Sequence, residues 1–183
     1  MGLKKLIVLL GMTTALGSCL PILHNDCVFQ YHLDLIFLDR QGNDLVKDIG
    51  YNSLIRPEDG ITEYSFEVKK ELYRLNIYST LGNSFDHKIW LIKERDYWRL
   101  RIVMGNLQVN ASDPEVHTLF LYCPYVFGDK FPDEHKFVTY WKPIKKKSLD
   151  YVCYRLEFDG KEITDITYNL GELNVSVAKI ILD

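Results

Sequence analysis

The sequence predicts an all-β protein, an antiparallel two-sheet β-sandwich of about ten strands, and three observations predict it. Alanine, the best helix former, occurs only three times among 183 residues, whereas Val, Ile, Thr, Tyr, Phe and Trp together occur 59 times. From residue 28 onward, apolar and polar residues alternate, and turn-forming residues interrupt them about every eight to twelve positions. The hydrophobic share of 47% suffices for one core, and no linker-like tract divides residues 28–183, so we expect a single domain there.

The beginning of the chain has the form of a bacterial signal peptide. Two lysines, a short apolar run and a stretch of small residues precede residues 16–19, Leu-Gly-Ser-Cys. Because the apolar run is shorter than the roughly 20 residues that a membrane-spanning helix needs, we expect residues 1–18 to be removed. The tetrapeptide resembles a lipobox, which implies that Cys19 becomes the lipidated first residue. Residues 19–27 would then tether the domain to the membrane.

Seven stripes of alternating residues predict strands that have one buried and one wet face. In the first of these strands, His32 and Asp34 lie on the predicted wet face. The stripes are Phe29, Tyr31, Leu33, Leu35 and Phe37; Tyr64, Phe66 and Val68; Tyr73, Leu75 and Ile77; Trp98, Leu100 and Ile102; Phe137, Thr139 and Trp141; Val152, Tyr154, Leu156 and Phe158; and Leu173, Val175 and Val177.

Three more strands follow from connections and burial. Residues 88–93 and 97–103 are close enough in the chain for a hairpin. The run 119–125 is apolar on both faces, which predicts a central strand. The dipeptide 159–160, Asp-Gly, predicts a type I′ turn, because glycine accepts the positive φ that this turn requires, and residues 163–168 form its return arm. These elements favour an immunoglobulin-like or transthyretin-like sandwich, with a partly closed barrel as the alternative.

No motif indicates chemistry, so the sequence predicts no catalytic, metal or cofactor site. No two histidines have the spacing of a zinc motif, and there is no nucleophile elbow, phosphate-binding glycine loop or dinucleotide fingerprint. Carboxylates neighbour an imidazole at Asp86-His87 and within residues 133–135, as ordinary loop residues often do. Three cysteines follow Cys19, an odd number that permits at most one intramolecular bridge and specifies no pairing. They are Cys27, Cys123 and Cys153.

The aromatic content of 13% is the feature that suggests a ligand, because an exposed flat ring stacks on the apolar side of a sugar. The alternative for these residues is packing in the core or at a sheet edge. A cluster of lysines offers a patch for an anionic glycan or a phosphate headgroup, or else a solvated connection that protects a strand edge. The candidate platform is Trp90, Tyr122, Tyr125, Phe127 and Trp141, and the candidate anion patch is Lys142, Lys145, Lys146 and Lys147.

The lipobox followed by residues 31–46, YHLDLIFLDRQGNDLV, is similar to the opening of small cell-envelope lipoproteins of gut Bacteroidetes. The resemblance implies a β-sandwich that is anchored by lipid at the outer membrane. It does not specify which leaflet carries the anchor. A weaker similarity runs to the fimbrial anchor lipoproteins of the same phylum, which show a second cysteine soon after the lipidated one. Here that pair would be Cys19 and Cys27.

These observations favour a lipid-anchored, non-enzymatic binding or interaction module of the bacterial cell envelope. We expect its partner to be a glycan, a peptide or another envelope protein. The net charge of −3 and the dispersed basic residues exclude a nucleic-acid surface. The alternatives are a fimbria-related anchor or assembly subunit that works by strand addition at a sheet edge, and an enzyme whose site is assembled from distant loops.

Overall fold

The computed structural model describes residues 29–55, 64–79, 87–93, 97–106, 115–128, 134–145, 151–170 and 174–182. The predicted signal peptide and tether, with Cys19 and Cys27, lie outside these ranges. Within them, helix is confined to the 3₁₀ turn Lys70–Leu72 and to α1 (Pro124–Phe127), and no helix is long and apolar enough to cross a membrane. The described strands are β1 (Phe29–Leu38), β2 (Tyr51–Ile55), β3 (Tyr64–Val68), β4 (Arg74–Ser79), β5 (His87–Lys93), β6 (Trp98–Asn106), β7 (Glu115–Tyr122), β8 (His135–Pro143), β9 (Tyr151–Phe158), β10 (Lys161–Ile163), β11 (Ile166–Leu170) and β12 (Asn174–Ile181).

The strands form two sheets whose inner faces enclose the core. The seven-stranded sheet has the order β11-β12-β1-β6-β5-β3-β2, and the five-stranded sheet has the order β10-β9-β8-β7-β4. Alternate residues of most of these strands supply the core, as the two-residue period requires. The prediction of an all-β two-sheet sandwich is therefore confirmed, with twelve strands described in place of about ten.

The first and last described strands, β1 and β12, lie side by side and run parallel, with Leu35 opposite Ala178. The prediction of purely antiparallel sheets is wrong at this pair. Parallel neighbours need a long crossover connection, and here all the strands between β1 and β12 provide it. Because β11 and β12 form a hairpin within the seven-stranded sheet, β12 returns in the direction of β1.

Strand β1 is buried on both faces, although its sequence predicts a wet face at His32 and Asp34. Its core-facing residues between Tyr31 and Phe37 are fully buried, and Asp34 on the opposite face is also fully buried. Arg99 and Arg101 of β6 lie on the same face of the sheet as Asp34 and donate hydrogen bonds to its carboxylate. The alternation itself is correct, but its polar residues are buried instead of facing water, and Asp34 forms an ion cluster with the two arginines.

The predicted stripe along β9 is interrupted. The pairing of β8 with β9 shifts between Tyr140 and Trp141, so that Tyr140 lies opposite Arg155 while Trp141 lies opposite Cys153. Such a bulge adds one residue to one strand and reverses which face the following residues occupy. As a result Cys153 joins the core, whereas Tyr154 is 39% exposed.

The type I′ turn predicted at Asp159-Gly160 is present, with φ of 48° at Asp159 and 77° at Gly160. The predicted return arm, however, splits in two. Strand β10 continues the hairpin in the five-stranded sheet, and β11 crosses to the edge of the seven-stranded sheet beside β12. This crossing places strands from the C-terminal part of the chain in both layers.

Candidate binding surface

The structure does not gather the five aromatic residues of the predicted platform. Trp141 lies in the core with no exposed surface, its ring edge-to-face with Tyr31 at 5.2 Å between centroids, and its Nε1 donates to Thr139 Oγ1 at 2.8 Å. The interpretation of Trp141 as part of an exposed platform is therefore wrong, because it shares the inward parity of Phe137 and Thr139 on β8.

Two other members of the predicted platform close one end of the sandwich. The ring of Phe127 packs on Phe37, His135 and Phe158. Tyr125 is 47% exposed, and its hydroxyl donates to the carbonyl oxygen of Lys47 at 2.7 Å. These two residues belong to α1, so that the helix covers the open end of the core.

The remaining two members lie on different sheets. Trp90 of β5 is half-buried and lies opposite Arg101 and Glu67 in the register of the seven-stranded sheet. Tyr122 is half-buried on β7 of the five-stranded sheet. Of the five predicted residues, only Tyr122 belongs to the aromatic surface described next.

The outer face of the five-stranded sheet carries a band of aromatic rings, called here the aromatic face. Strand β7 alternates between buried and half-buried residues, so the apolar run that predicted a central strand has one face in the core and one accessible. Tyr78 and Tyr154 are 49% and 39% exposed, and the other three rings are half-buried. The aromatic face consists of Tyr78 on β4, Phe120 and Tyr122 on β7, Tyr140 on β8 and Tyr154 on β9.

The rings of the aromatic face form two groups. Tyr78 and Phe120 meet edge-to-face at 5.8 Å between centroids on the β4–β7 side. Tyr140 and Tyr154 lie 6.3 Å apart on the β8–β9 side. Strands in a sheet are about 4.8 Å apart, so the band spans roughly 15 Å across β4, β7, β8 and β9.

Cationic side chains lie over three of these rings. The guanidinium of Arg74 is 4.5 Å from the centroid of Tyr122, and that of Arg155 is 4.9 Å from the centroid of Tyr140. The ammonium of Lys142 is 5.3 Å from the centroid of Tyr154. Each contact uses the negative face of the ring and restricts the motion of both side chains.

Two carboxylates hold the β8–β9 group in place. Arg155 pairs with Glu157 at 2.9 Å and with Glu162 at 3.6 Å, and the hydroxyl of Tyr140 donates to Glu157 at 3.0 Å. The hydrogen bond to Glu157 raises the pKa of Tyr140, so the hydroxyl stays protonated and remains a donor. The aromatic face is therefore preorganised on rigid strands, which lowers the entropy that a ligand loses on binding.

The predicted anion patch is divided. Lys142 is exposed near the end of β8 and lies on the aromatic face. Lys145 is exposed just after that strand. Lys146 and Lys147 lie outside the described residues. Lys142 thus extends the aromatic face at the end marked by Tyr154, and Lys145 follows it in the chain.

A groove of about 370 Å³ lies on the outer face of the other, seven-stranded sheet. Tyr97, Tyr168 and Lys179 contribute to its lining, and the Lys179 ammonium pairs with Asp165 at 3.6 Å and lies 5.7 Å from the centroid of Tyr97. Its other cation, Arg99, pairs with Asp34. Both cations of this groove therefore already have carboxylate partners.

A buried polar cluster lies between the sheets at the end where β1 begins. Tyr31 donates to Glu115 Oε2 at 2.5 Å, and His117 Nε2 lies 3.1 Å from the same oxygen. Burial, and then the hydrogen bond to Glu115, raise the pKa of Tyr31. Tyr31 and His117 have no exposed surface and Glu115 has almost none, so the cluster does not contact solvent. It joins β1 to β7 across the core.

One of the predicted carboxylate–imidazole neighbours, His135, contacts the carboxylate of Asp159 in the β9–β10 turn. His135 Nδ1 lies 2.7 Å from Asp159 Oδ2, and the backbone N–H of Lys136 donates to the other oxygen of Asp159 at 2.8 Å. The arrangement ties the β9–β10 turn to the start of β8. Asp86 and Asp133 lie outside the described residues, and no three metal-ligating residues cluster within the described ranges.

Sequence reasoning missed four residues of the aromatic face, namely Tyr78, Phe120, Tyr140 and Tyr154. A usable signal exists for Tyr78 and Tyr140, because each has the opposite parity to the core stripe of its own strand. No local signal identifies Tyr154, since only the bulge turns it outward. Comparison of the chain with protein-family models, with curated proteins and with solved structures finds no match.

Proposed function

We propose that this protein is a lipid-anchored, non-enzymatic binding module of the bacterial cell envelope, and that it binds a glycan on the aromatic face. The observation that carries the proposal is the pair Tyr140 and Tyr154, two accessible rings that are fixed by Arg155 and Lys142. An accessible ring on a rigid sheet gives a sugar a flat apolar surface and excludes water from it.

Tyrosine suits this role because it offers a large contact area at a small cost in side-chain entropy, and its hydroxyl adds a hydrogen bond. Sheet residues point outward in rows, so that successive rings along and across the strands form an extended surface for several sugar units. An extended, open surface favours a polymer over a small molecule, which would need a concave pocket.

The position of the protein in the envelope rests on the lipobox resemblance. Lipidation at Cys19 would fix the chain to a membrane, and the tether of residues 19–27 would reach about 30 Å when extended. We expect Cys19→Ala to shift the protein from the detergent phase to the aqueous phase in a detergent phase-separation experiment. Unchanged partitioning would show that the thiol carries no anchor.

Glycan binding is tested by electrophoresis of the full chain, in detergent, through native gels cast with soluble neutral and acidic polysaccharides. We expect at least one polysaccharide to retard the protein, and expect Tyr154→Ala and Tyr78→Ala each to weaken the interaction about fivefold, since a stacked ring contributes about 1 kcal/mol. Tyr168→Ala is the matched control, because Tyr168 is 45% exposed but lies at the groove of the other sheet.

The results with these variants distinguish a glycan site on the aromatic face from one in the groove of the other sheet. Loss of binding in Tyr168→Ala with full binding in Tyr154→Ala would move the glycan site to the groove. Absence of retardation by every polysaccharide would refute the glycan function. The fimbria-related alternative needs an open sheet edge, and because any open sandwich has such edges, that feature does not favour it.

A further inference from the structure

We infer that the glycan bound by the aromatic face is an anionic polysaccharide, a polymer that carries repeated carboxylate or sulfate groups. This inference rests on the proposed function and narrows its ligand. It follows from the distribution of charge on the face, from the spacing of two lysines along β8, and from the place of each lysine beside an aromatic ring.

The charged side chains around the aromatic face are mainly positive, whereas the whole protein has a negative net charge. Arg74, Lys136, Lys142 and Arg155 lie on this side of the sheet, and Glu157 and Glu162 are the carboxylates that pair with Arg155. The complete chain has a net charge of −3. A positive surface on an acidic protein attracts an anionic polymer, because its potential is complementary to repeated carboxylate or sulfate groups.

Lys136 and Lys142 are exposed, and neither forms an ion pair with any residue in the described part of the chain. An exposed ammonium without a carboxylate partner has no competing charge to lose when an anion arrives. This distinguishes the aromatic face from the groove of the other sheet, where Lys179 and Arg99 pair with Asp165 and Asp34.

Each of the two lysines lies beside one of the two groups of rings. Lys136 is directly opposite Phe120 in the β7–β8 register, and Lys142 lies over Tyr154. Both are on β8 and are six residues apart, which places them about 20 Å from each other along the strand. A single sugar acid cannot contact both lysines, whereas a polymer with regularly repeated anionic groups can do so while its rings stack between them.

The test uses pairs of polymers that differ only in charge. Polygalacturonate, alginate and hyaluronan are each compared with their carboxyl-reduced forms, and chondroitin sulfate adds a sulfated probe. Binding of the full chain is measured by affinity electrophoresis between 50 and 500 mM salt. We expect at least one acidic polymer to bind, its reduced form to bind at least tenfold more weakly, and added salt to weaken the interaction, because exposed charges are screened.

The variants Lys142→Gln and Lys136→Gln are each expected to lower the affinity for the acidic polymer about fivefold, the effect of one exposed ion pair. Lys93→Gln is the matched control. The Lys93 ammonium lies 5.3 Å from the centroid of Trp98, the same geometry as Lys142 over Tyr154, but on the seven-stranded sheet. Its replacement should leave the affinity unchanged.

Four outcomes would overturn the inference. Equal binding of acidic and reduced polymers, or binding of neutral polysaccharides alone, would leave glycan binding intact and refute the anionic ligand. Full affinity in the Lys142→Gln and Lys136→Gln double variant would refute the assigned contacts. Binding to phosphatidylglycerol vesicles through Lys142, with no binding to any polysaccharide, would refute both the anionic glycan and the proposed function.

Discussion

Arg101 of β6 and Asp34 of β1 lie directly opposite each other in the seven-stranded sheet and form a two-point ion pair. Arg101 Nε donates to Asp34 Oδ1 at 2.7 Å, and Nη2 donates to Oδ2 at 2.9 Å. Arg99 Nη1 donates to Oδ2 of the same carboxylate at 3.1 Å. All three residues are buried, so each guanidinium depends on this carboxylate for part of its charge compensation.

Replacement of Asp34 with Asn should destabilise the fold by about 3–5 kcal/mol, because it leaves two buried guanidinium groups without their shared countercharge. The measurement is the free energy of unfolding from guanidinium chloride titration. Asp165→Asn is the control, since Asp165 is exposed and pairs with Lys179 at 3.6 Å, and it should cost less than about 1 kcal/mol. Similar losses in both variants would show that burial does not set the strength of the Asp34 cluster.

Tyr31→Phe should destabilise the protein by about 1–3 kcal/mol, because it removes the buried hydroxyl that donates to Glu115 and leaves that carboxylate with one partner fewer. Urea titration followed by circular dichroism gives the value. Tyr51→Phe serves for comparison, since Tyr51 is 40% exposed and its change should stay within about 0.5 kcal/mol. A neutral effect at Tyr31 would mean that the hydroxyl does not stabilise the join between β1 and β7.

Cys153 should make the protein less stable as the pH rises above about 9. Burial raises the pKa of the Cys153 thiol from 9.0 to about 12. Above pH 9 the unfolded chain releases the thiol proton while the folded chain retains it, so stability is complete below pH 9 and declines as the pH rises toward 12.

The slope that this thiol contributes approaches about 1.4 kcal/mol per pH unit once the unfolded thiol is ionised. Cys153→Ala should remove that contribution from the curve of unfolding free energy against pH, measured between pH 8 and 10. The same burial should protect the folded protein from iodoacetamide at Cys153 at pH 8, with urea-unfolded protein as the reactive reference. Equal slopes for both proteins would contradict the assignment.

Gly160→Ala should destabilise the β9–β10 hairpin by about 1–2 kcal/mol, since φ at this residue is 77° and a Cβ there meets nothing within 4 Å. The cost is therefore one of backbone conformation alone. Gly160→Asn should recover part of the loss, because asparagine tolerates the left-handed region better than alanine does. Thermal unfolding of the two variants beside the unsubstituted chain measures the order, and a greater loss in the Asn variant would contradict it.

The class of the fold and several of its elements could be predicted because they depend on neighbours in the chain. The two-residue period shows which residues of β6 and β8 point inward, such as Leu100 and Phe137, because the pleat alternates whatever the strand pairs with. The turn at Asp159-Gly160 is equally local, since the backbone angles are chosen by these two residues themselves. The inward parity of Trp141 was visible for the same reason.

The aromatic face, the ion cluster and the parallel β1–β12 pair depend on contacts between distant parts of the chain. From the sequence alone, Asp34 is predicted to face water. The register of the sheet instead places Arg101, 67 residues later in the chain, opposite it. From the sequence alone, Tyr154 is predicted to be a core residue. In the structure, a bulge in the pairing with β8 turns it outward beside Lys142. A local pattern specifies which side of its own strand a residue occupies. Packing and pairing across the sheets determine whether water, a charged group or an aromatic ring lies on that side. These contacts form only in the folded structure, so the local pattern does not specify them.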